Sequence, residues 1–188
     1  MRKIEIKASG RQDLGKKATK ELRKNEQVPG VLYGGKEVVH FYASAKELNK
    51  LIYTPHVYLV NLNVEGKKYN AVIKALQFHP VNDNVLHVDF LEIFEDKPVI
   101  IEIPVLLEGL AEGVKAGGKL QLEQRKLRVK GLAKNLPDEL KIDVSHLGLG
   151  RGTQVGDLDF PNLELLNSKN SVVVSVKLTR AARAAGQK

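Results

Sequence analysis

The basic residues between Lys16 and Lys24 have side-chain types and a spacing that suit a phosphate backbone. On a helix that turns about 100° per residue, five cations share an arc of roughly 120°: Lys16, Lys17, Lys20, Arg23 and Lys24. Leu14, Ala18 and Leu22 fall on the opposite side, so we expect one face to dock on its own domain and the other to meet an anion. A solvated surface helix is the alternative, but such helices usually mix charges of both signs, and here only Glu21 interrupts the basic face.

The segment VPGVLYGG at 28–35 follows this helix and reads as a glycine-rich turn that carries Tyr33. A tyrosine can donate a hydrogen bond to a phosphate or stack on a base, and both suit nucleic acid. Gly34 and Gly35 have no Cβ, so the turn leaves room for a nucleic-acid backbone to approach closely.

The positive charge of the chain is concentrated at its two ends. Residues 1–36 carry ten Lys or Arg and four Asp or Glu, a net +6, and residues 177–188 carry four Lys or Arg and no acid, a net +4. Between them, residues 37–94 hold five basic and six acidic side chains and residues 95–176 hold eleven and twelve, so each stretch is at −1. Because a basic character for solubility alone does not require this asymmetry, we expect a polyanion to be met at the ends.

Motifs for enzyme chemistry fail when they are tried against the chain. Residues 30–36 match the phosphate-binding pattern G-x-x-x-x-G-K, but Glu37 stands where a Ser or Thr must hold magnesium. His79 and His87, with Asp89, could chelate a metal, but residues on strands beside a turn commonly serve as surface or hydrogen-bonding groups, and we favour that interpretation. No catalytic residues are visible, so we expect no enzyme activity, no cofactor and no small-molecule substrate.

Composition limits the class of protein. The 188 residues can bury a core in one large domain or in two smaller ones, and the absence of Cys excludes disulfides and thiolate chemistry. The N-terminus lacks the apolar stretch of a signal peptide, and no segment approaches the roughly 18 apolar residues of a membrane span. We therefore expect a cytoplasmic protein with no membrane contact.

The dominant period along the chain is two residues, which predicts a mainly β protein with short helices. A second helix is predicted after Ser44, since Glu47 completes a capping box and Leu48 and Leu51 follow before Pro55. We expect that helix to plug the end of a barrel. The strand-like segments of the first half are 4–8, 38–43, 57–64, 68–78 and 85–94.

A second strand series begins after the sequence EDKP at 95–98, so we place a domain boundary near residue 94. Its strand-like segments are 99–107, 119–132, 139–144, 163–166 and 171–178. The glycines between these segments read as turns of an all-β domain: Gly109, Gly113, Gly117, Gly118, Gly148, Gly150, Gly152 and Gly156. The predicted organisation is a first domain at 1–94, a second at 95–179 and a basic tail at 180–188, which is either a disordered solubilising end or an RNA-contacting extension.

The same residues carry a family resemblance. The ordered segments R-x-x-x-G-K-x-x-x-K-x-L-R at 11–23, VPGVLYGG at 28–35, K-x-x-Q-x-HP at 74–80 and LHVDF at 86–90 resemble the ribosomal protein L25 family, the 5S rRNA binders of the bacterial large subunit. The second half is similar to the extra domain of the long form of that family, which is named for a general stress protein. The segments that carry this similarity are IPV at 103–105, EGVKAGGKL at 112–120, LPDELKIDVSHLGLG at 136–150 and VGDLDFP at 155–161.

The resemblance implies a six-stranded β-barrel with short helices that binds the irregular internal loop of 5S rRNA called loop E, followed by a second β-rich domain. It implies further partners in 23S rRNA and neighbouring large-subunit proteins. Asp89 has a second interpretation, as a carboxylate that orients His87 or Arg23. The RNA contacts implied are Arg11, Lys16, Lys20, Arg23, Tyr33, Gly34, Lys74, Gln77, His87 and Asp89.

The chain departs from the family pattern at Glu21, where many members are basic, and at Phe78, where Arg is frequent; we expect Phe78 in the core or stacked on a base. Two other functions stay open. The barrel is similar in fold to the anticodon-binding domains of glutaminyl-tRNA synthetase, which allows a stand-alone tRNA binder. A stress-related protein-interaction module, with the second domain as its working part, is the alternative without nucleic acid.

Overall fold

Six strands close into a barrel in the first part of this computed structural model, which describes residues 2–179 of the chain. The chain divides into two compact units between Val99 and Ile100, and the predicted tail at 180–188 lies outside the described residues. The elements of the first unit are β1 (Arg2–Gly10), α1 (Lys16–Lys24), β2 (Gln27–Tyr33), β3 (Val39–Ser44), α2 (Ala45–Ile52), β4 (Tyr58–Val64), β5 (Lys67–Phe78) and β6 (Val85–Glu92).

The order around the barrel is β1-β3-β2-β6-β5-β4, and the parallel pairing of β1 with β4 closes it. Buried and more exposed residues alternate along β3 and β4, as the period of two predicts. The interior is apolar and includes the fully buried residues Ile6, Leu62 and Val88. Phe41 and Phe90 meet there with their ring centroids 5.8 Å apart.

The segment predicted as a glycine-rich turn is instead strand β2 up to Tyr33, and the turn begins only at Gly34. β2 pairs antiparallel with β3 and parallel with β6, so it is one of the strands that form the barrel wall. The prediction of a turn at this glycine was wrong because Gly30 is needed for close packing inside the barrel. A Cβ there would lie 2.5 Å from the ring of Phe41 and 2.8 Å from Val88. A glycine in a strand commonly marks such a close approach.

Helix α2 lies where it was predicted and contributes Leu48 and Leu51 to the barrel core. The predicted capping box does not form, since Ser44 occupies the N-cap position without a side-chain hydrogen bond to the helix. Burial of its apolar face, rather than capping, therefore holds this helix in place.

The second unit contains the rest of the strands in two small sheets. Its elements are β7 (Pro98–Glu108), α3 (Glu112–Lys115), β8 (Lys119–Leu122), β9 (Lys126–Leu132), β10 (Leu140–Asp143), β11 (Gly152–Gln154), β12 (Glu164–Leu165) and β13 (Val172–Lys177), with single 3-10 turns at Ala133–Asn135 and Val155–Asp157. One sheet has the order β10-β7-β9-β12 and the other the order β11-β13-β8. Two glycines predicted as turns lie in other elements, Gly113 in α3 and Gly152 in β11.

The fold is thus mainly β with short helices, as predicted. Within residues 2–179, none of the helices has the length and apolar character that a membrane span requires.

Candidate nucleic-acid interface

Polar side chains gather on the outer face of three neighbouring strands of the barrel, β5, β6 and β2. His87 and Asp89 alternate along β6 with the fully buried Val88 and Phe90, so both point out of the barrel. Gln77 on β5 lies directly opposite His87. The register thus brings together three of the predicted contacts on two adjacent strands.

His87 and Asp89 form a hydrogen-bonded pair, with Nδ1 of the histidine 2.7 Å from Oδ1 of the aspartate. Their side chains are 27% and 28% exposed, so both stay within reach of a ligand. Asp89 accepts from Nδ1–H, so Nε2 is the ring atom left for a ligand: it accepts a hydrogen bond in the neutral ring and donates one in the protonated ring. Asp89 was predicted to orient His87 or Arg23, and its hydrogen bond is with His87.

Tyr33 extends this face onto β2, two residues after Val31, which pairs with Asp89. Partial burial, and secondly the negative charge of Asp89, raise the pKa of the Tyr33 hydroxyl above its usual 10.0. The phenol therefore stays protonated at neutral pH and can donate a hydrogen bond.

The structure of the turn itself requires a glycine at position 34. Its φ is +98°, and a Cβ would lie 2.7 Å from Cδ1 of Leu91 on the neighbouring strand. The turn thus needs glycine for its own geometry, whether or not a nucleic acid approaches it.

Helix α1 carries the predicted basic face into solvent. Lys16, Lys17, Lys20 and Lys24 are all exposed. The docking predicted for the opposite face is only partial: no residue of α1 is buried, and Leu14, just before the helix, is 57% exposed. The apolar side of α1 instead lines an open cleft of about 710 Å³ against the outer side of β3.

Arg11, predicted to contact RNA, braces the N-terminal end of α1. Its Nη2 donates to Oγ1 of Thr19 at 2.6 Å and its Nε donates to the carbonyl oxygen of Asp13 at 2.7 Å. Thr19 in turn donates to the carbonyl oxygen of Gly15, which precedes the helix. These bonds fix the start of a helix that has no side-chain N-cap.

Arg23 holds the other end of α1 to β6. Its Nε and Nη2 both donate to the carbonyl oxygen of Leu86, at 3.1 and 2.9 Å. The pairing of β5 with β6 skips Leu86, because Gln77 pairs with His87 while Phe78 pairs with Val85. A bulge of this kind turns a backbone group away from the ladder, and Arg23 supplies its hydrogen bonds.

The remaining predicted residues lie close to this face. Lys74 is exposed and is skipped by a second register shift, between Ile73 and Ala75. Phe78 is 42% exposed at the end of β5, so its predicted core position is wrong and stacking stays a prediction. Glu21 is exposed and lines the cleft beside α1.

His79 does not join His87 in a shared site. It lies in the turn after β5, where its Nδ1 accepts hydrogen bonds from the backbone N–H groups of Val81 and Asn82, each at 3.3 Å. Among residues 2–179 no group of three or more His, Asp and Glu side chains has an arrangement that could hold a metal ion.

Two features of the interface were missed from the sequence. His40 on β3 pairs with Val31 and is exposed, so it continues the outer face toward α1. Its alternation with the buried Phe41 was a signal that could have identified it. The carbonyl group of Leu86 is the other feature, and nothing in the sequence distinguishes it.

Both halves of the chain are similar to known proteins. Residues 6–90 match the model of the ribosomal L25p family, and residues 98–180 match the model of the C-terminal domain of ribosomal protein TL5. A protein of Azobacteroides pseudotrichonymphae named large ribosomal subunit protein bL25 is 59% identical over 184 residues, which cover 97% of each chain. A protein of the same name from Bacteroides fragilis is 56% identical, over 98% of this chain and 97% of its own length. Another from Porphyromonas gingivalis is 53% identical, over 100% of this chain and 99% of its own length.

Proposed function

Because the chain belongs to the ribosomal L25p family, we propose that it is a structural protein of the large ribosomal subunit, in the cytoplasmic ribosome, that binds 5S rRNA at loop E. The outer face of β5, β6 and β2 and the lysine face of α1 would form the binding surface. 23S rRNA and neighbouring large-subunit proteins would be further partners.

One observation carries this proposal. Arg23 ties the basic helix to Leu86, the residue just before the His87–Asp89 pair, so a charged element and a hydrogen-bonding element are held in a fixed relation. Phosphate neutralisation supplies affinity for any RNA, whereas fixed donors and acceptors read one particular RNA shape. A protein that recognises one loop needs both.

The groups on the two elements suit those two tasks. Lys16 and Lys20 are exposed cations that can neutralise phosphates. The free Nε2 of His87 can accept from a 2′-hydroxyl, and the Gln77 amide can donate and accept at a base edge. Irregular internal loops expose such edges, whereas the deep major groove of a regular RNA helix does not.

The test is a comparison of three RNAs with the full chain over a range of salt concentrations. The first is 5S rRNA, the second is 5S rRNA with loop E replaced by Watson–Crick pairs, and the third is a tRNA. We expect the replacement to weaken binding by at least about tenfold, or roughly 1.4 kcal/mol, at physiological salt. Equal affinity for all three RNAs would leave only charge-driven binding and refute the proposal, and preference for tRNA would favour the anticodon-domain alternative.

A further inference from the structure

The second unit has a cleft between two strand edges that are left unpaired within the described residues. β10 is the last strand of one sheet and pairs only with β7, and β11 is the last strand of the other and pairs only with β13. Both strands line the same open cleft of about 570 Å³, β10 with Lys141–Asp143 and β11 with Gly152 and Thr153. An open strand edge presents backbone N–H and C=O groups in the spacing that another extended chain can pair with.

One residue that lines the cleft, Thr153, carries a buried polar group. Thr153 is only 7% exposed, and its Oγ1 is buried without a hydrogen-bond partner among the described residues. A buried hydroxyl without a partner is costly and therefore uncommon. Thr153 belongs to the edge strand β11 and lines the cleft, so a strand added there would approach the residue that carries this hydroxyl.

The charged side chains around the cleft favour a cationic occupant. Asp143, Asp157 and Asp159 line it, against the cations Lys141 and Arg151 and the titratable side chain of His146. Lys141 is already engaged, because its Nζ contacts Oε1 of Glu108 at 2.6 Å. The hydroxyl and the backbone N–H of Ser145 lower the pKa of the Asp143 carboxyl, which keeps it charged. A polyanion such as RNA would be repelled by these carboxylates.

We propose that the cleft between β10 and β11 binds an extended, basic peptide segment of another protein, which adds as a strand between the two open edges. The backbone of the segment would pair with the edges, and its Lys or Arg side chains would meet Asp143 and Asp159. This proposal does not rest on RNA binding, because the cleft lies in the second unit and the interface described above lies in the first.

The test uses the full, isotope-labelled chain and defined probe peptides, followed by NMR. The probe is an acetylated and amidated Lys-Val-Lys-Val-Lys peptide. A Lys-Pro-Lys-Pro-Lys peptide keeps its charge but loses backbone donors, and a Glu-Val-Glu-Val-Glu peptide reverses the charge. We expect the first peptide to shift the amide signals of residues 141–143 and 151–159, with much weaker effects from the other two.

Two matched variants connect the result to the cleft. Asp159→Asn should weaken binding of the lysine peptide roughly two- to fivefold, as expected for one partly solvated ion pair. Asp96→Asn removes the same charge from an exposed position outside the cleft and should leave binding unchanged.

The proposal is overturned if the lysine peptide leaves the cleft signals unmoved or if the proline peptide binds equally well. It is also overturned if a single-stranded RNA occupies the cleft and binds more tightly to Asp159→Asn.

Discussion

The substitution Arg23→Lys separates two roles that a cation at the end of α1 can have. If Arg23 only neutralises a phosphate, lysine keeps the charge and changes little. If the guanidinium holds α1 to the Leu86 carbonyl, lysine weakens that attachment, because a compact ammonium cannot reproduce the geometry with which the planar guanidinium directs two N–H groups at one oxygen. The two roles therefore predict opposite results for a variant of unchanged charge.

The expected size of the effect follows from the geometry. Hydrogen bonds to charged groups contribute about 1.5 to 3 kcal/mol each when they are protected from water. The two Arg23 bonds share one acceptor and are exposed to solvent, so water can replace part of the loss. We therefore expect a total of about 1 to 1.5 kcal/mol, or roughly a five- to twelvefold change in the equilibrium between attached and detached helix.

Two measurements test this expectation. Hydrogen exchange of the amides in the C-terminal half of α1 in the free protein should be five- to twelvefold faster in Arg23→Lys, since no residue of α1 is buried and Arg11 braces only the N-terminal end of the helix. Affinity for 5S rRNA should fall by up to the same factor, and the slope of log affinity against log salt should not change, because the charge is kept.

Lys20 provides matched controls on the same helix. Lys20→Arg keeps the charge of an exposed side chain and should leave both measurements unchanged. Lys20→Ala should lower the salt slope by about 0.7 to 0.9 and leave exchange in the free protein nearly unchanged. If Arg23→Lys weakens RNA binding without faster exchange in α1, Arg23 acts directly on the RNA and the reasoning from Leu86 is refuted.

Further predictions concern the strand pair, the unit boundary and the tail. His87→Ala should cost roughly 1 to 3 kcal/mol on 5S rRNA and little on the RNA with loop E replaced, with the salt slope almost unmoved; equal losses on both RNAs would show that His87 only braces the barrel. Asp89→Asn should lower the pKa of Tyr33, followed by NMR of its ring, but should leave it above 10.0, because burial is the larger cause of the shift; no change would mean that the two groups do not interact. A fragment ending at Val99 should fold and bind 5S rRNA within about tenfold of the full chain, since the barrel closes on itself, and an unfolded fragment would show that the units depend on each other. Deletion of residues 180–188 should leave specific affinity nearly unchanged, and a large loss would make the tail an RNA contact.

Alternation of apolar and polar residues was enough to predict most of the barrel. It identified β1, β3, β4, β5 and β6, and it placed His87 and Asp89 on the same outer face, in alternation with the buried Val88 and Phe90. It failed at β2, where Pro29 and Gly30 interrupt the pattern for a reason that lies in another strand, the ring of Phe41. It also failed at β11, which is three residues long and stands among glycines. A local pattern cannot show a requirement set by a distant residue.

The two arginines show the same limit in the interface itself. By charge alone, Arg11 and Arg23 belong with the lysines of α1, and both were predicted to contact RNA together with Lys16 and Lys20. Whether a guanidinium is available to a phosphate depends on which acceptors lie near it, and for Arg23 the acceptor exists only because the pairing of β5 with β6 skips Leu86. A register shift depends on how two strands pair, so the sequence of neither β5 nor β6 alone reveals it. We therefore infer that the arginines set the position of α1 on the barrel, and that its exposed lysines, which carry the same charge, provide the attraction to RNA.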